Sequence, residues 1–219
     1  MKAPFIGFVN RLYPQGSCSQ WFGENPALYA HMGMRGHNGI DYVAEFGKPL
    51  YAVKKGYICD VTTNNNTGYG FEVRLRTEDN EVWIYAHMSK VSVKLNQKVE
   101  EGEYLGNMGN TGFVVTSIDG NGFWVKGSNK HAGTHLHTAK RIVHNYVEGV
   151  DKNWHGYHNG IPYVVENLDN GFNGWLDCRK DFDNVDPPTI QEIQKDLELQ
   201  GYTSLWDKIS AVLKSFGIS

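Results

Sequence analysis

Nine histidines lie along the chain, and two short runs set them in patterns that can do chemistry. In Gly36-His37-Asn38-Gly39-Ile40-Asp41-Tyr42 an imidazole and a carboxylate stand four positions apart. That interval is close to one helical turn and is also a multiple of two, so both groups can share one face of a helix or of a strand. Gly36 and Gly39 would each cost a helix about 1 kcal/mol, which favours strand or turn. A helical H-E-x-x-H metal motif is absent. In Thr134-His135-Leu136-His137-Thr138 the two histidines are separated by one apolar residue. On a strand they project together while Leu136 enters the core.

Imidazoles held side by side on a strand suit a metal site in which one binds the ion and the other faces the reacting group. A catalytic zinc takes three protein ligands and keeps one position open. His37, Asp41 and one histidine of the His135/His137 pair supply such a trio. The ion lowers the pKa of water toward about 7 and polarises a scissile carbonyl. A proton acceptor and donor are still needed, and histidine titrates in the right range for both. Each pattern alone is ordinary. His37 with Asp41 also reads as a turn salt bridge, the other pair as an exposed polar face, and His87 as a polar strand end.

These side chains need a rigid support, and the chain can build one. At 219 residues, it should bury roughly 70% of the surface it exposes when unfolded. Twenty-five glycines make about 11% of the chain against a usual share of about 7%, which implies many turns. Short apolar or alternating runs at residues 51–53, 57–61, 71–76, 82–87 and 104–108 predict strands. The expected fold is mainly β, an antiparallel sheet core with a groove, long loop insertions and a short C-terminal helical hairpin. The insertions are Phe113 to Gly133, and Asn145 to Asp183 with Trp154, His155, Tyr157, His158, Tyr163 and Trp175. Such aromatic loops either line a binding groove or bury their own rings.

After Pro188, Thr189 and Glu192 form a capping-box pattern, and Ile190, Ile193 and Leu197 recur at helical spacing. Leu205, Ile209, Val212, Leu213 and Phe216 mark a second helix. Residues 1–187 are expected to form the main domain, with 188–219 docked on it as a hairpin.

A net charge of −3 provides no electrostatic footprint for nucleic acid. No apolar run is long enough for a membrane-spanning helix. Cys18, Cys59 and Cys178 are odd in number and widely spaced, and are expected to be thiols. The opening Met1 to Val9 reads as a mature N-terminal strand, because Pro4 and Gly7 interrupt its apolar run and no small-residue cleavage site follows.

The contexts of the motifs carry a family resemblance. His37 to Tyr42, continuing through Gly47-Lys48-Pro49-Leu50-Tyr51-Ala52-Val53 to Gly56, resembles the first metal motif of the lysostaphin-type, or LytM-like, zinc metallopeptidases. Tyr85-Ala86-His87-Met88-Ser89 is similar to that family's central histidine motif. Val99 to Gly106 with Gly109-Asn110-Thr111-Gly112 resembles its glycine-rich hairpin, and His135-Leu136-His137 its closing motif. Val185-Asp186-Pro187 is similar to the segment that ends the family's domain. The resemblance implies His37, Asp41 and His137 as ligands of one Zn2+ and His87 and His135 as the catalytic pair. It also implies hydrolysis of peptide bonds in bacterial peptidoglycan, in a stem peptide or a cross-bridge. Thr134 and Thr138 depart from the family's usual proline and apolar residue, and the loop from Gly112 to His135 is long. His131, His155 and His158 match no motif.

Two other readings compete. A binding or activator module can occupy the same scaffold without turnover, although all five site candidates are present. A sugar-transport phosphocarrier also pairs histidines, but Asp41 and Tyr85-Ala86-His87 disfavour it. Action is expected outside the cytoplasm on the cell wall. The leaderless start suggests a phage-type lysin released by a holin or carried in a virion.

Overall fold

A computed structural model describes residues 1–5, 18–63, 68–114, 131–182, 188–202 and 204. Alternation of apolar and polar residues produces its central feature, an antiparallel sheet with two unlike faces. The strands are β1 (Cys18–Gln20), β2 (Ile40–Tyr42), β3 (Pro49–Tyr51), β4 (Gly56–Thr62), β5 (Phe71–Thr77) and β6 (Glu81–Val91). They continue with β7 (Lys98–Val99), β8 (Tyr104–Met108), β9 (Leu136–Asn145), β10 (Gly156–His158) and β11 (Ile161–Val165). Their main order is β1-β2-β9-β6-β5-β4-β7, with β3 on β8, β8 on β6, and the β10–β11 hairpin on β9.

Val73 and Leu75 of β5, Trp83 and Tyr85 of β6, and Leu136 of β9 point to the inner face and join Ile40, Tyr42, Leu50 and Ile58 in the main core. The residues between them, Ile84, Ala86 and Ala139, lie on the outer face beneath Trp175. Val82 and Val143, further along the same face, pack with Tyr163 and Val165 of β11. Of the two fates its composition allowed, the second aromatic insertion shows burial of its rings on the sheet. It buries Trp175 and Tyr163 on the sheet and leaves Trp154 and Tyr157 exposed.

Charge is also buried at one edge of the core. Glu81 accepts hydrogen bonds from the Trp83 indole at 2.8 Å and from Lys54 and Lys140 at 2.9 Å each. Burial pushes the Glu81 carboxyl up, but these donors outweigh it and hold the group below its ordinary range.

The helical content is small. A four-residue helix, α1 (Pro26–Tyr29), followed by a 3-10 turn at Ala30–Met32, was not foreseen from sequence. The C-terminal helix α2 (Ile190–Leu199) starts with the expected reciprocal Thr189–Glu192 capping box. It rests on the sheet domain through buried Asp196, which accepts from Tyr51 Oη at 2.9 Å and Lys48 Nζ at 3.2 Å. The second helix of the expected hairpin, the Val185-Asp186-Pro187 segment and most of the 113–133 insertion lie outside the described residues. Residues 1–5 do not form the expected strand. They run beside β3 with only Lys2 N–H to Val53 O and Tyr51 N–H to Pro4 O as backbone bonds, because Pro4 has no amide hydrogen to donate. Residues 6–9 are outside the described set. Among the described residues no helix is long and apolar enough to cross a membrane, and Cys18, Cys59 and Cys178 are free.

Trp83 is the largest side chain sealed in the main core. Its truncation in Trp83→Ala should cost about 3–5 kcal/mol, read by urea denaturation. A loss under about 1 kcal/mol would contradict its place in the core.

Candidate metal centre

Asp41 of β2 pairs directly with His137 of β9, and Ala86 of β6 pairs with the same His137 from the other side. This register brings two distant motifs to one spot on the outer face. His37 approaches from the turn before β2. His37 Nε2 lies 3.2 Å from Asp41 Oδ1 and 3.0 Å from His137 Nδ1, and His137 Nδ1 lies 3.0 Å from Asp41 Oδ1. The three residues are buried, and they form the one group of at least three potential metal ligands among the described residues.

His87 reaches the same face by a break in the strand. Along β6, Ala86 is on the outer face and His87 should point inward. Instead His87 has φ 58°, in the left-handed region, and the β5–β6 and β6–β8 registers shift around this part of the strand. Met88 is consequently the residue that returns to the core, and the His87 ring lies 4.5 Å from that of His135 and 6.0 Å from that of His137. Such a bulge redirects a side chain at a cost of order 1 kcal/mol for a non-glycine residue. His135 sits just before β9, bridged to Gly109, with Nε2 3.7 Å from Asp41 Oδ2. All five residues singled out from sequence thus occupy one cluster.

Backbone carbonyls orient the rings. His37 Nδ1–H donates to Trp21 O at 3.2 Å, His87 Nδ1–H to Thr111 O at 2.7 Å, and His135 Nδ1–H to Gly133 O at 2.8 Å. A carbonyl can only accept, so each ring carries its proton on Nδ1 and turns a lone pair on Nε2 toward the cluster. The Thr111 carbonyl is itself held by the threonine hydroxyl, which accepts from Phe71 N–H and donates to Met88 O, both at 2.8 Å. Close approach there requires Gly70, where a Cβ would meet Thr111 backbone at 2.4 Å.

The charge states suit a cation. Burial favours neutral Asp41, yet His135, His37 and His137 together hold its carboxyl well below the usual range. Burial pushes the His137 imidazole down to about 4, and burial with His135 and His137 pushes His87 well below its ordinary value. An anionic carboxylate thus stands beside the His137 and His87 imidazoles, which burial disfavours in their charged form. His37 Nε2, His137 Nδ1 and Asp41 Oδ1 converge within 3.2 Å, and one shared proton cannot satisfy all three lone pairs. A Zn2+ ion can. Bonds of about 2.0–2.1 Å in a tetrahedral site set ligand atoms about 3.3 Å apart, close to the separations found.

Two residues of the site carried no metal signal in the sequence. Tyr69 packs its ring 5.1 Å from His137, and its hydroxyl accepts from Asn38 Nδ2 at 2.6 Å. The only hint was its position between Gly68 and Gly70. Gly39 gives His137 room, since a Cβ there would lie 2.4 Å from the ring. The histidines without a motif do other things. His131 stacks on Phe46 at 4.2 Å, His155 Nδ1 accepts from Val165 N–H at 2.8 Å, and His158 packs on Tyr57.

An antiparallel sheet with two histidines and an aspartate converging on its outer face is the arrangement of a metallopeptidase-type protein. Residues 35–148 match the model of peptidase family M23, more than half of the chain, and the chain belongs to that family. It is similar to the peptidoglycan DD-endopeptidase ShyA of Vibrio cholerae, 37% identical over 79 residues, which are 36% of this chain and 18% of that protein. Lysostaphin of Staphylococcus simulans is 30% identical over 103 residues, 43% of this chain and 20% of that protein. The matched region thus spans about a fifth of the length of these curated relatives. The catalytic domain of the prophage-encoded M23 protein EnpA of Enterococcus faecalis aligns over 62% of this chain and 87% of that one, at 27% identity and a TM-score of 0.44.

Because Gly39 sets the position of a ligand ring, Gly39→Ala should weaken Zn2+ binding at least tenfold in a competitive chelator titration while leaving the far-ultraviolet spectrum unchanged. Unaltered affinity would show that the close contact has no role in shaping the site.

Proposed function

We propose that this chain is a zinc-dependent endopeptidase that hydrolyses peptide bonds in bacterial peptidoglycan and acts outside the cytoplasm. His37, Asp41 and His137 are its metal ligands, and His87 and His135 its catalytic pair. The observation that carries this reading is the buried convergence of His37 Nε2, His137 Nδ1 and Asp41 Oδ1 beside two further imidazoles, each held through Nδ1 by a backbone carbonyl.

When bound, the zinc ion supplies Lewis acidity for attack of water on an amide. The remaining work falls to the chain. Asp41 contributes the negative charge that keeps a divalent cation in a buried site. The Nε2 atoms of His87 and His135, on one side of the ligand trio, accept the proton of the attacking water and return a proton to the leaving amine nitrogen. The Thr111 and Gly133 carbonyls keep the accepting nitrogens aimed at the reacting atoms through the cycle. Peptidoglycan as the substrate is supported by the names of the similar proteins, the DD-endopeptidase ShyA above all.

Two measurements test this reading. Purified protein should release new amino groups from isolated sacculi, and a chelator should abolish the release until Zn2+ is restored; equal release with and without chelator rejects the mechanism. His135→Ala should keep about one zinc per chain while turnover falls at least 100-fold. Asp41→Ala should lose the zinc itself, and the opposite pattern in these two variants would reverse the role assignment.

A further inference from the structure

The insertion after β9 carries an exposed aromatic surface that the metal centre does not use. Between its β10–β11 hairpin and strands β4 and β5 lies a cavity of about 310 Å3, lined among others by Asp60, Arg74, Asn96, Tyr157, Asn159 and Tyr163. That volume is at the lower end of small-molecule sites, roughly 300–1,000 Å3. We propose that this cavity is a saccharide-binding site that takes a neutral N-acetylated hexose unit, as found in a glycan strand. The glycan origin of the ligand rests on the peptidoglycan reading above.

The lining has the chemistry of a polyol receptor. Asp60 and Arg74 face each other at 3.7 Å, and Arg74 is bonded to buried Glu72 at 2.9 Å. The acid and base of the lining are therefore spent on each other, which favours an uncharged ligand over an anion or a cation. The carboxamide groups of Asn96 and Asn159 line the same cavity and supply donors and acceptors of the sort that bind hydroxyls.

One exposed aromatic lines the cavity and a second stands beside it. Tyr157, in the lining, is 48% exposed, and Trp154 is 50% exposed with its ring 4.5 Å from that of Tyr157. Flat rings with a polar edge suit the C–H face of a pyranose, whose hydroxyls remain free to bond to the amides.

The cavity is also preformed and well placed. Asn159 N–H donates to Asn96 Oδ1 at 3.2 Å, tying the hairpin to the loop before β7, and His155 Nδ1 holds β11. Both hairpin strands lie outside the family-matched residues 35–148. Cys59, which also lines the cavity, packs with Val82, Val143, Tyr163 and Val165 on the outer face of the sheet, the face that holds His137. Three interstrand steps from β9 to β4 make roughly 14 Å, the span of about four extended residues. A sugar bound here can thus present a short peptide attached to it to the metal centre.

The test is titration of the intact protein with a tetramer of N-acetylglucosamine, followed by calorimetry, with maltotetraose and inorganic phosphate as comparisons. Binding of the acetylated tetramer is expected, weakened at least tenfold in Tyr157→Ala, with neither comparison binding at the site. No binding of the acetylated tetramer, binding indifferent to Tyr157→Ala, or binding of phosphate alone overturns the proposal. A second readout uses the ratio of sacculus hydrolysis to hydrolysis of a sugar-free cross-linked peptide. Tyr157→Ala should lower that ratio about tenfold; an unchanged ratio also overturns it. If the unmodified protein cleaves neither substrate, the peptidase reading fails, and the calorimetric arm alone decides the sugar site.

Discussion

Three lone pairs directed at one buried point constitute the interaction on which the site depends. Imidazole nitrogens and a carboxylate oxygen about 3 Å apart repel one another unless a positive charge sits among them. The protein holds His37 and the two neighbouring rings, His87 and His135, from behind, while strand pairing with Asp41 and Ala86 places His137. Trp21, Thr111 and Gly133 offer only carbonyl oxygens, so the tautomers of His37, His87 and His135 are not free to change. None of these carbonyls belongs to a motif that names a metal. Each comes from a loop or strand end, and two of these loops are held by contacts too close for a side chain, Gly36 against Gly23 near Trp21 and Gly70 against Thr111. The charge balance of the site is thereby tied to backbone geometry.

The sheet contributes the second half of the constraint by separating a dry face from a chemical one. The main core, with Trp83, Tyr85 and Leu136, is closed and apolar on the inner side. His137, between Leu136 and Thr138, takes its place on the outer side by alternation alone. His87 cannot. Its φ of 58° inserts an extra outward position after Ala86 and restores Met88 to the core. One strained residue therefore turns His87 toward His135 and His137, on a strand that otherwise obeys a period of two.

That difference explains what could be read from the sequence. Alternation in Phe71 to Thr77 foretold β5, because one face meets the core and the other meets polar groups. The ends of β6 were less legible. Val82 to Met88 is buried throughout, so apolar character did not distinguish its faces, and a bulge leaves no compositional mark beyond the histidine itself. Glycine spacing and the alternating His135-Leu136-His137 run pointed to His37, Asp41 and one histidine of that pair, and only the family resemblance singled out His137, which the structure brings together with His37 and Asp41. Tyr69 was not, since its role arises from a loop packing against Asn38 from a separate turn. Residues 1–5 of the N-terminal stretch do not form a strand, where Pro4 has no amide hydrogen to donate, and α1 is too short for any periodicity to announce it.

The second insertion shows how a shared scaffold acquires a different surface. Ala86 and Ala139 are the smallest possible strand residues beside the metal cluster short of glycine, and they leave a shallow place on the outer face. Trp175 fills it and is sealed against Ile84 as well. Its indole then meets the Arg141 guanidinium at 3.9 Å, and burial pushes that guanidinium down to about 10. A cation carried this far out of water is stabilised by the ring face, so the arginine serves as the upper half of a clamp on the tryptophan. Leu176 extends the clamp by donating its amide to Lys140 O at 2.8 Å. With the returning chain fixed at these points, the β10–β11 hairpin need bury only Tyr163 and Val165 to stay on the sheet. Its remaining aromatics are then free of any packing duty, which is why Trp154 and Tyr157 can face solvent beside a cavity without loosening the fold.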